Sequence, residues 1–174
     1  MRWVDLGILY VRSNLNSCIG YSDSDWAGDR DDRKSTSGYC FIMGSGLLSW
    51  KSNKQTCVTL STAEAEYVAL SSAAQEAIWL KLLLHDLNFS HNSPMVIMED
   101  NQACICFTKN PKDHGKTKHI SIKYHFVRNL VNDQEIDVQY CPTNLMLADI
   151  FTKGLSAEKF MFIRNRLGLC FLNK

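Results

Sequence analysis

Four acidic residues, Asp23, Glu66, Asp100 and Asp149, stand where a carboxylate is badly placed for a purely solvated role. Asp23 falls near the end of the alternating run IGYSDSD (19–25), and Glu66 opens a long amphipathic segment. Asp100 follows the apolar run MVIM, and Asp149 sits inside LMLADIF. Phosphodiester chemistry by two metals requires carboxylates that converge from separate elements. Their hard oxygens fix two ions roughly 4 Å apart, one activating water and the other stabilising the leaving oxygen. Each residue alone has a simpler reading. Asp100 reads as a helix N-cap. Glu66 and Asp149 read as members of ion pairs, because an unpaired buried carboxylate is costly. Four such residues together favour one shared site. Asp23 and Asp25 lie on the same Ile19/Tyr21 face, and a period of two cannot separate them.

These residues need a scaffold, and the pattern along the chain supplies one. Residues 19–25 read as a strand whose end meets solvent. The polar, Gly-bounded stretch AGDRDDRKSTSG (27–38) is a loop. GYCFIM (38–43) and LLSWKS (47–52) flank GSG, a hairpin signal, and a short strand is expected at 56–59. Ser61-x-x-Glu64 is a capping box, and a helix should run from there to about Leu87. Glu66 heads its apolar face, in phase with Ala69, Leu70, Ala73, Ala77, Leu80 and Leu84. Glu64 heads the more mixed face of Tyr67, Val68, Ser71 and Gln75. MVIM reads as a buried strand with Asp100 at its end, and Asn101 caps the next helix. A basic loop at 109–118, a helix at 119–131, a strand at 135–140 and helices at about 144–152 and 156–167 complete the order. Such an order predicts an α/β fold, a mixed sheet with helices on its faces and a site beyond the carboxyl ends of parallel strands.

The 174 residues suit one domain, and a hydrophobic fraction of 45% supports a packed core. With 19 basic and 18 acidic residues the net charge is +1, so any grip on nucleic acid must rest on local basic patches and metal ions. No apolar run approaches the ~20 residues needed to span a bilayer. MRWVDLGILYVRS carries Asp5 and no small-residue cleavage site, so no signal peptide and an intracellular location, cytoplasm or nucleus, are expected. Seven cysteines, an odd number set mostly in apolar runs, read as buried thiols in a reducing compartment. A zinc site from Cys104 and Cys106 with His114, His119 or Cys141 is the sharper alternative, but its spacing fits no common pattern.

Five phrases carry a more specific signal: GYSDSDWAGDRDDRKSTSGYCF (20–41), SWKSNKQTCVTLSTAEAEYVALSSAAQEAIWL (49–80), EDNQAC (99–104), TKHISIKYHFVR (117–128) and ADIFTKGL (148–155). From about Leu6 to Leu155 the chain resembles the ribonuclease H domain of copia-type LTR retrotransposon Pol polyproteins. The resemblance implies the ribonuclease H-like fold, a five-stranded mixed sheet with helices on both faces. It implies hydrolysis of the RNA strand of an RNA/DNA hybrid by two-metal-ion catalysis with Mg²⁺, for which Mn²⁺ substitutes, leaving 5′ phosphates and 3′ hydroxyls. In that family the ligands come from the first strand, the first helix, the end of the fourth strand and the C-terminal helix. YSD matches the first at Asp23, AEY the second at Glu66, EDN the third at Asp100 and ADIFTK the fourth at Asp149. The choice of Asp23 over Asp25 rests on resemblance alone.

Ser24, Thr62 and Gln102 are candidates for minor-groove contact with the hybrid, where the 2′-hydroxyl distinguishes RNA from DNA. Lys112, Lys116, Lys118 and Lys123 are candidates for DNA-strand phosphates, with a solvated loop and helix face as the alternative. Trp26 either stacks near the site or packs in the core. The loop histidine of many ribonucleases H is absent from CPTNLMLAD, which leaves His114 and His119 unassigned. A reverse transcriptase domain is the expected neighbour in a parent polyprotein, with residues 1–18 a remnant of the connection to it and 19–174 the nuclease domain. Three rivals stand beside this reading. One is a catalytically weak or inactive hybrid-binding fragment, another a strand transferase of the same fold, and the third a zinc or interaction domain.

Overall fold

Three apolar stretches with a two-residue period build the centre of the molecule. In the computed structural model, which describes residues 6–11, 17–89, 93–109 and 118–171, they become strands β2 (Cys18–Asp25), β3 (Thr36–Met43) and β5 (Met95–Glu99). With β4 (Gly46–Lys54) and β6 (Ile136–Tyr140) they form one five-stranded sheet in the order β4-β3-β2-β5-β6. The β2–β3 and β3–β4 pairs are antiparallel, and the β2–β5 and β5–β6 pairs are parallel. The carboxyl ends of β2, β5 and β6 therefore lie along one edge. A separate pair, β1 (Leu6–Ile8) and β7 (Leu169–Phe171), runs antiparallel.

Helices cover both faces of the sheet. Helices α1 (Thr62–Asp86), α2 (Gln102–Lys109) and α3 (Lys118–Asn132) bury Tyr67, Leu70, Leu80, Cys104 and Val127 against Phe41, Met95, Ile97 and Ile136. On the other face, α4 (Ala157–Arg166) and the segment before it bury Met146, Leu147 and Ile163 against Tyr21, Cys40 and Leu47. Among the described residues no helix is long and apolar enough to cross a membrane.

Helix α1 starts at the expected cap: Ser61 Oγ accepts the Glu64 N–H. The capping box is shifted, because Glu64 Oε2 accepts the Leu60 N–H at 2.8 Å. Buried Gln55 ties down the first turn, its Nε2 donating to Ser37 Oγ at 2.8 Å and to the Ala65 carbonyl at 3.0 Å. Further along, the Tyr39 and Ser49 hydroxyls donate to Glu76. Tyr67 stacks on Tyr124 with ring centroids 3.9 Å apart, which seats α3 on α1.

Three expectations need correction. Residues 56–59 form a bend and irregular backbone rather than a strand, and β4 instead continues through Lys54. The stretch expected as a helix at 144–152 is two short 3-10 turns, Thr143–Leu145 and Leu147–Phe151. They are separated by Met146 in an extended conformation (φ −69°, ψ 107°). This extended residue interrupts the helical hydrogen bonding, and Met146, Leu147 and Ala148 are all buried on the α4 face of the sheet. Burial also fails to separate Glu64 from Glu66, at 6% and 7% exposure, because α3 covers the face expected to be mixed.

Candidate active site

Parallel pairing brings the first two carboxylates level. The β2–β5 register sets Gly20 beside Ile97 and Tyr21 beside Met98. Carried two residues further, it sets Asp23 level with Asp100. Helix α1 lies across this edge and lowers Glu66 onto it. Asp23, Glu66 and Asp100 each bring a carboxylate oxygen within 4.8 Å of the others. Asp25 does not join them, because its carboxylate lies against Gly28 in the turn that follows β2.

Asp23 and Glu66 are buried and Asp100 is half-buried, and the cluster is poorly neutralised. Glu66 Oε2 has no hydrogen-bond partner among the described residues. Burial, then Glu99, Asp23 and Asp100, push the Glu66 carboxyl up to about 11. Burial also raises Asp23 to about 6, against the opposing pull of Thr152 and Lys153. Crowded carboxylates with an orphaned oxygen form a donor set suited to a hard divalent cation.

Asp149 is placed differently. It is fully buried on the second 3-10 turn, and two lysines hold it. Lys159 Nζ contacts its Oδ2, and Lys153 Nζ stands 2.8 Å from its Oδ1. The same Lys153 Nζ lies 3.5 Å from Asp23 Oδ2, while the Thr152 hydroxyl donates to that oxygen. Burial disfavours the Lys153 charge, but Asp149 and Asp23 outweigh it and raise the ammonium to about 12. The 3-10 turn approaches this closely because Gly38 faces Asp23 across the β2–β3 ladder. A Cβ at Gly38 would stand 2.7 Å from Thr152 Cγ2 and 2.8 Å from Phe151 Cβ.

A fifth carboxylate escaped the sequence reading. Glu99 is fully buried; its Oε1 accepts the Asn101 N–H at 3.1 Å and its Oε2 has no partner among the described residues. Burial raises its carboxyl well above the usual range. The signal was available, because Met95, Ile97 and Glu99 are the buried set of an alternating strand. Asn101 caps α2 as expected, its side chain accepting the Cys104 N–H.

The remaining candidates are scattered. Ser24 is buried at the end of β2, its Oγ without a partner among the described residues. Thr62 and Gln102 are exposed at the starts of α1 and α2. Lys123 is half-buried, 3.4 Å from Ser71 Oγ, so it is turned toward α1 rather than standing free. Trp26 is neither in the core nor loose: it is 45% exposed, and its Nε1 donates to the Thr59 carbonyl. Lys112, His114 and Lys116 lie outside the described residues, as do the side chains of Lys118 and His119. The zinc alternative with Cys141 fails on geometry, while His114 and the His119 side chain lie outside the described residues. Cys104 is buried on one face of the sheet, Cys141 on the other, and Cys106 is exposed.

No family model matches the chain. It is 37% identical over 179 residues to the retrovirus-related Pol polyprotein from transposon TNT 1-94 of Nicotiana tabacum, covering 97% of this chain and 13% of that protein. It is 39% identical over 163 residues to the Pol polyprotein from transposon RE1 of Arabidopsis thaliana, covering 94% of this chain and 11% of that one. The chain thus spans little more than a tenth of the length of these relatives. Among solved structures, the N-terminal RNase H domain of rv2228c from Mycobacterium tuberculosis aligns with a TM-score of 0.57 at 15% identity, over 78% of this chain and 90% of that one. LC11-RNase H1 in complex with an RNA/DNA hybrid aligns with a TM-score of 0.56 at 14% identity, over 78% of this chain and 94% of that one. The chain is therefore a homologue of a segment of the retrovirus-related Pol polyproteins of transposons, and its fold is that of a ribonuclease H.

Proposed function

We propose that the chain is the ribonuclease H domain of a retrotransposon Pol polyprotein, an endonuclease that hydrolyses the RNA strand of RNA/DNA hybrids. The observation that carries this reading is the convergence of Asp23, Glu66 and Asp100 at the carboxyl edge of the sheet, with an orphaned, buried Glu66 oxygen. These three residues would hold one divalent ion, Mg²⁺ or Mn²⁺, and Asp149 with Asp23 would complete the two-metal set. When bound, the metal supplies Lewis acidity at the phosphate and acidifies water toward neutral pH. The chain's own contribution is to fix the carboxylates from four separate elements, with Asp23, Glu66 and Asp149 buried and Asp100 half-buried. Ser24, Thr62 and Gln102 are the proposed contacts to the hybrid's minor groove, where the 2′-hydroxyl selects RNA. Residues 1–18 as the join to a reverse transcriptase, and 19–174 as the nuclease, belong to the same proposal.

A labelled RNA/DNA hybrid incubated with the chain and Mg²⁺ tests the reading. Cleavage of the RNA strand alone, with 5′-phosphate products and none in chelator, is expected. Equal cleavage of a DNA duplex would replace the reading with a strand transferase of the same fold. The second reading, a hybrid-binding fragment with little turnover, draws on the net charge of +1 and on the two lysines that engage Asp149. Hybrid binding without cleavage at any Mg²⁺ concentration would favour it.

A further inference from the structure

Four carboxylates do not stand here as equal ligands. Three converge with an unsatisfied Glu66 oxygen among them, while the fourth, whose Oδ1 also lacks a hydrogen-bond partner among the described residues, is ion-paired with two lysines. Lys153 lies four residues after Asp149, and the 3-10 turn between them folds its side chain back over the site. Its ammonium sits 2.8 Å from Asp149 Oδ1 and 3.5 Å from Asp23 Oδ2, bridging the two carboxylates that a second ion would need to share. A cation in that place repels an incoming divalent ion and occupies its ligands. The Lys153 side chain is 36% exposed, whereas those of Asp23 and Asp149 are 2% and 0% exposed. The lysine can therefore swing toward solvent, and the carboxylates cannot follow. Lys159 contacts Asp149 Oδ2 and the Thr143 carbonyl, and no ion pair joins it to Asp23 among the described residues.

We propose that Lys153 is a built-in counter-ion that bridges Asp23 and Asp149, holds the second-ion position closed in the free protein, and leaves it for a phosphate of the arriving nucleic acid. This deepens the ribonuclease H reading and rests on it. The consequence is ordered loading. One divalent ion binds the Asp23–Glu66–Asp100 set in the absence of nucleic acid. The second binds only after a phosphate has drawn the ammonium away, so the complete site forms only on substrate.

Counting bound Mn²⁺ by electron paramagnetic resonance, on the full chain without nucleic acid, tests the inference without depending on cleavage. The wild type should bind one ion. K153M, which keeps the aliphatic stem and removes the charge, should bind two, its second ion tighter than in the wild type by about tenfold or more. K153R should restore the count of one, and K159M should leave it at one. Two ions in the wild type, one in K153M, or two in K159M would overturn the assignment to Lys153. If K153M loses its circular-dichroism spectrum, K153Q takes its place under the same criteria. A chain that shows the expected counts but cleaves no hybrid would refute the proposed function and leave the counter-ion standing. A chain that cleaves hybrid and binds two ions unaided would do the reverse.

Discussion

Replacing Asp23 with asparagine should make the metal-free protein more stable while abolishing its chemistry. The folded state raises the Asp23 carboxyl from 3.8 to about 6, mainly through burial. At about 1.4 kcal/mol for each tenfold change in proton affinity, keeping this group ionised in the fold costs about 3 kcal/mol above pH 6. The asparagine of D23N carries no charge, and its side-chain carbonyl can still accept the Thr152 hydroxyl. Its amide would face the Lys153 ammonium, which gives back roughly 1 kcal/mol. The net gain is about 2 kcal/mol, or roughly 4–8 °C in Tm for a chain of this size. Because the folded value lies above the unfolded one, wild-type stability rises as pH falls through 6 toward 3.8. The advantage of D23N is thus widest above pH 6 and disappears below about pH 4. Thermal unfolding by circular dichroism in chelator at pH 7.5, 6, 5 and 4 measures it. A D23N protein no more stable than wild type at pH 7.5, or a gap that widens on acidification, would refute the reasoning.

Other substitutions probe the same architecture. Glu66 is held protonated at neutral pH by burial and by Glu99 and Asp23, so E66Q should shift the metal-free Tm by no more than about 2 °C yet abolish divalent-ion binding by calorimetry. For the same reason wild-type Mg²⁺ binding at pH 7.5 should release about one proton, seen as a dependence of the binding enthalpy on the buffer's ionisation enthalpy. G38A pushes a methyl into Phe151 and Thr152; it should cost about 1–3 kcal/mol in urea unfolding and weaken Mg²⁺ binding through Asp23. Q55A removes the donor to Ser37 and Ala65 and should cost about 1–3 kcal/mol in urea unfolding.

Much of this arrangement is legible in the residues because local rules and global fold agree there. The GSG hairpin, the Ser61 cap and the long α1 follow from turn chemistry, capping and periodicity. Glu66 comes inward as its phase requires, although Glu64 is as buried; the reach of Glu64 back to Leu60 and the convergence of Glu66 with Asp23 and Asp100 tell them apart. Asp23 and Asp25 could not be separated by alternation, because their difference lies in the turn at Gly28 and the approach of Thr152, both tertiary. The helix expected around Asp149 is interrupted by the extended backbone at Met146, which apolar periodicity does not reveal. Lys153 was in plain view in ADIFTK, four residues from Asp149, but its reach to Asp23 depends on a contact across the molecule.

Strands β1 and β7 join the two ends of the described chain through three paired positions, Leu6 with Phe171, Gly7 with Cys170 and Ile8 with Leu169. Among the described residues this pairing closes the longest loop with only three paired positions. During folding it forms after the five-stranded sheet, when most of the chain's freedom has already been lost. Amide exchange at 6–8 and 169–171 is therefore expected to be faster than in β2 and β5. The carboxylate site lies on the other sheet, so such fraying at the ends leaves the nuclease centre assembled.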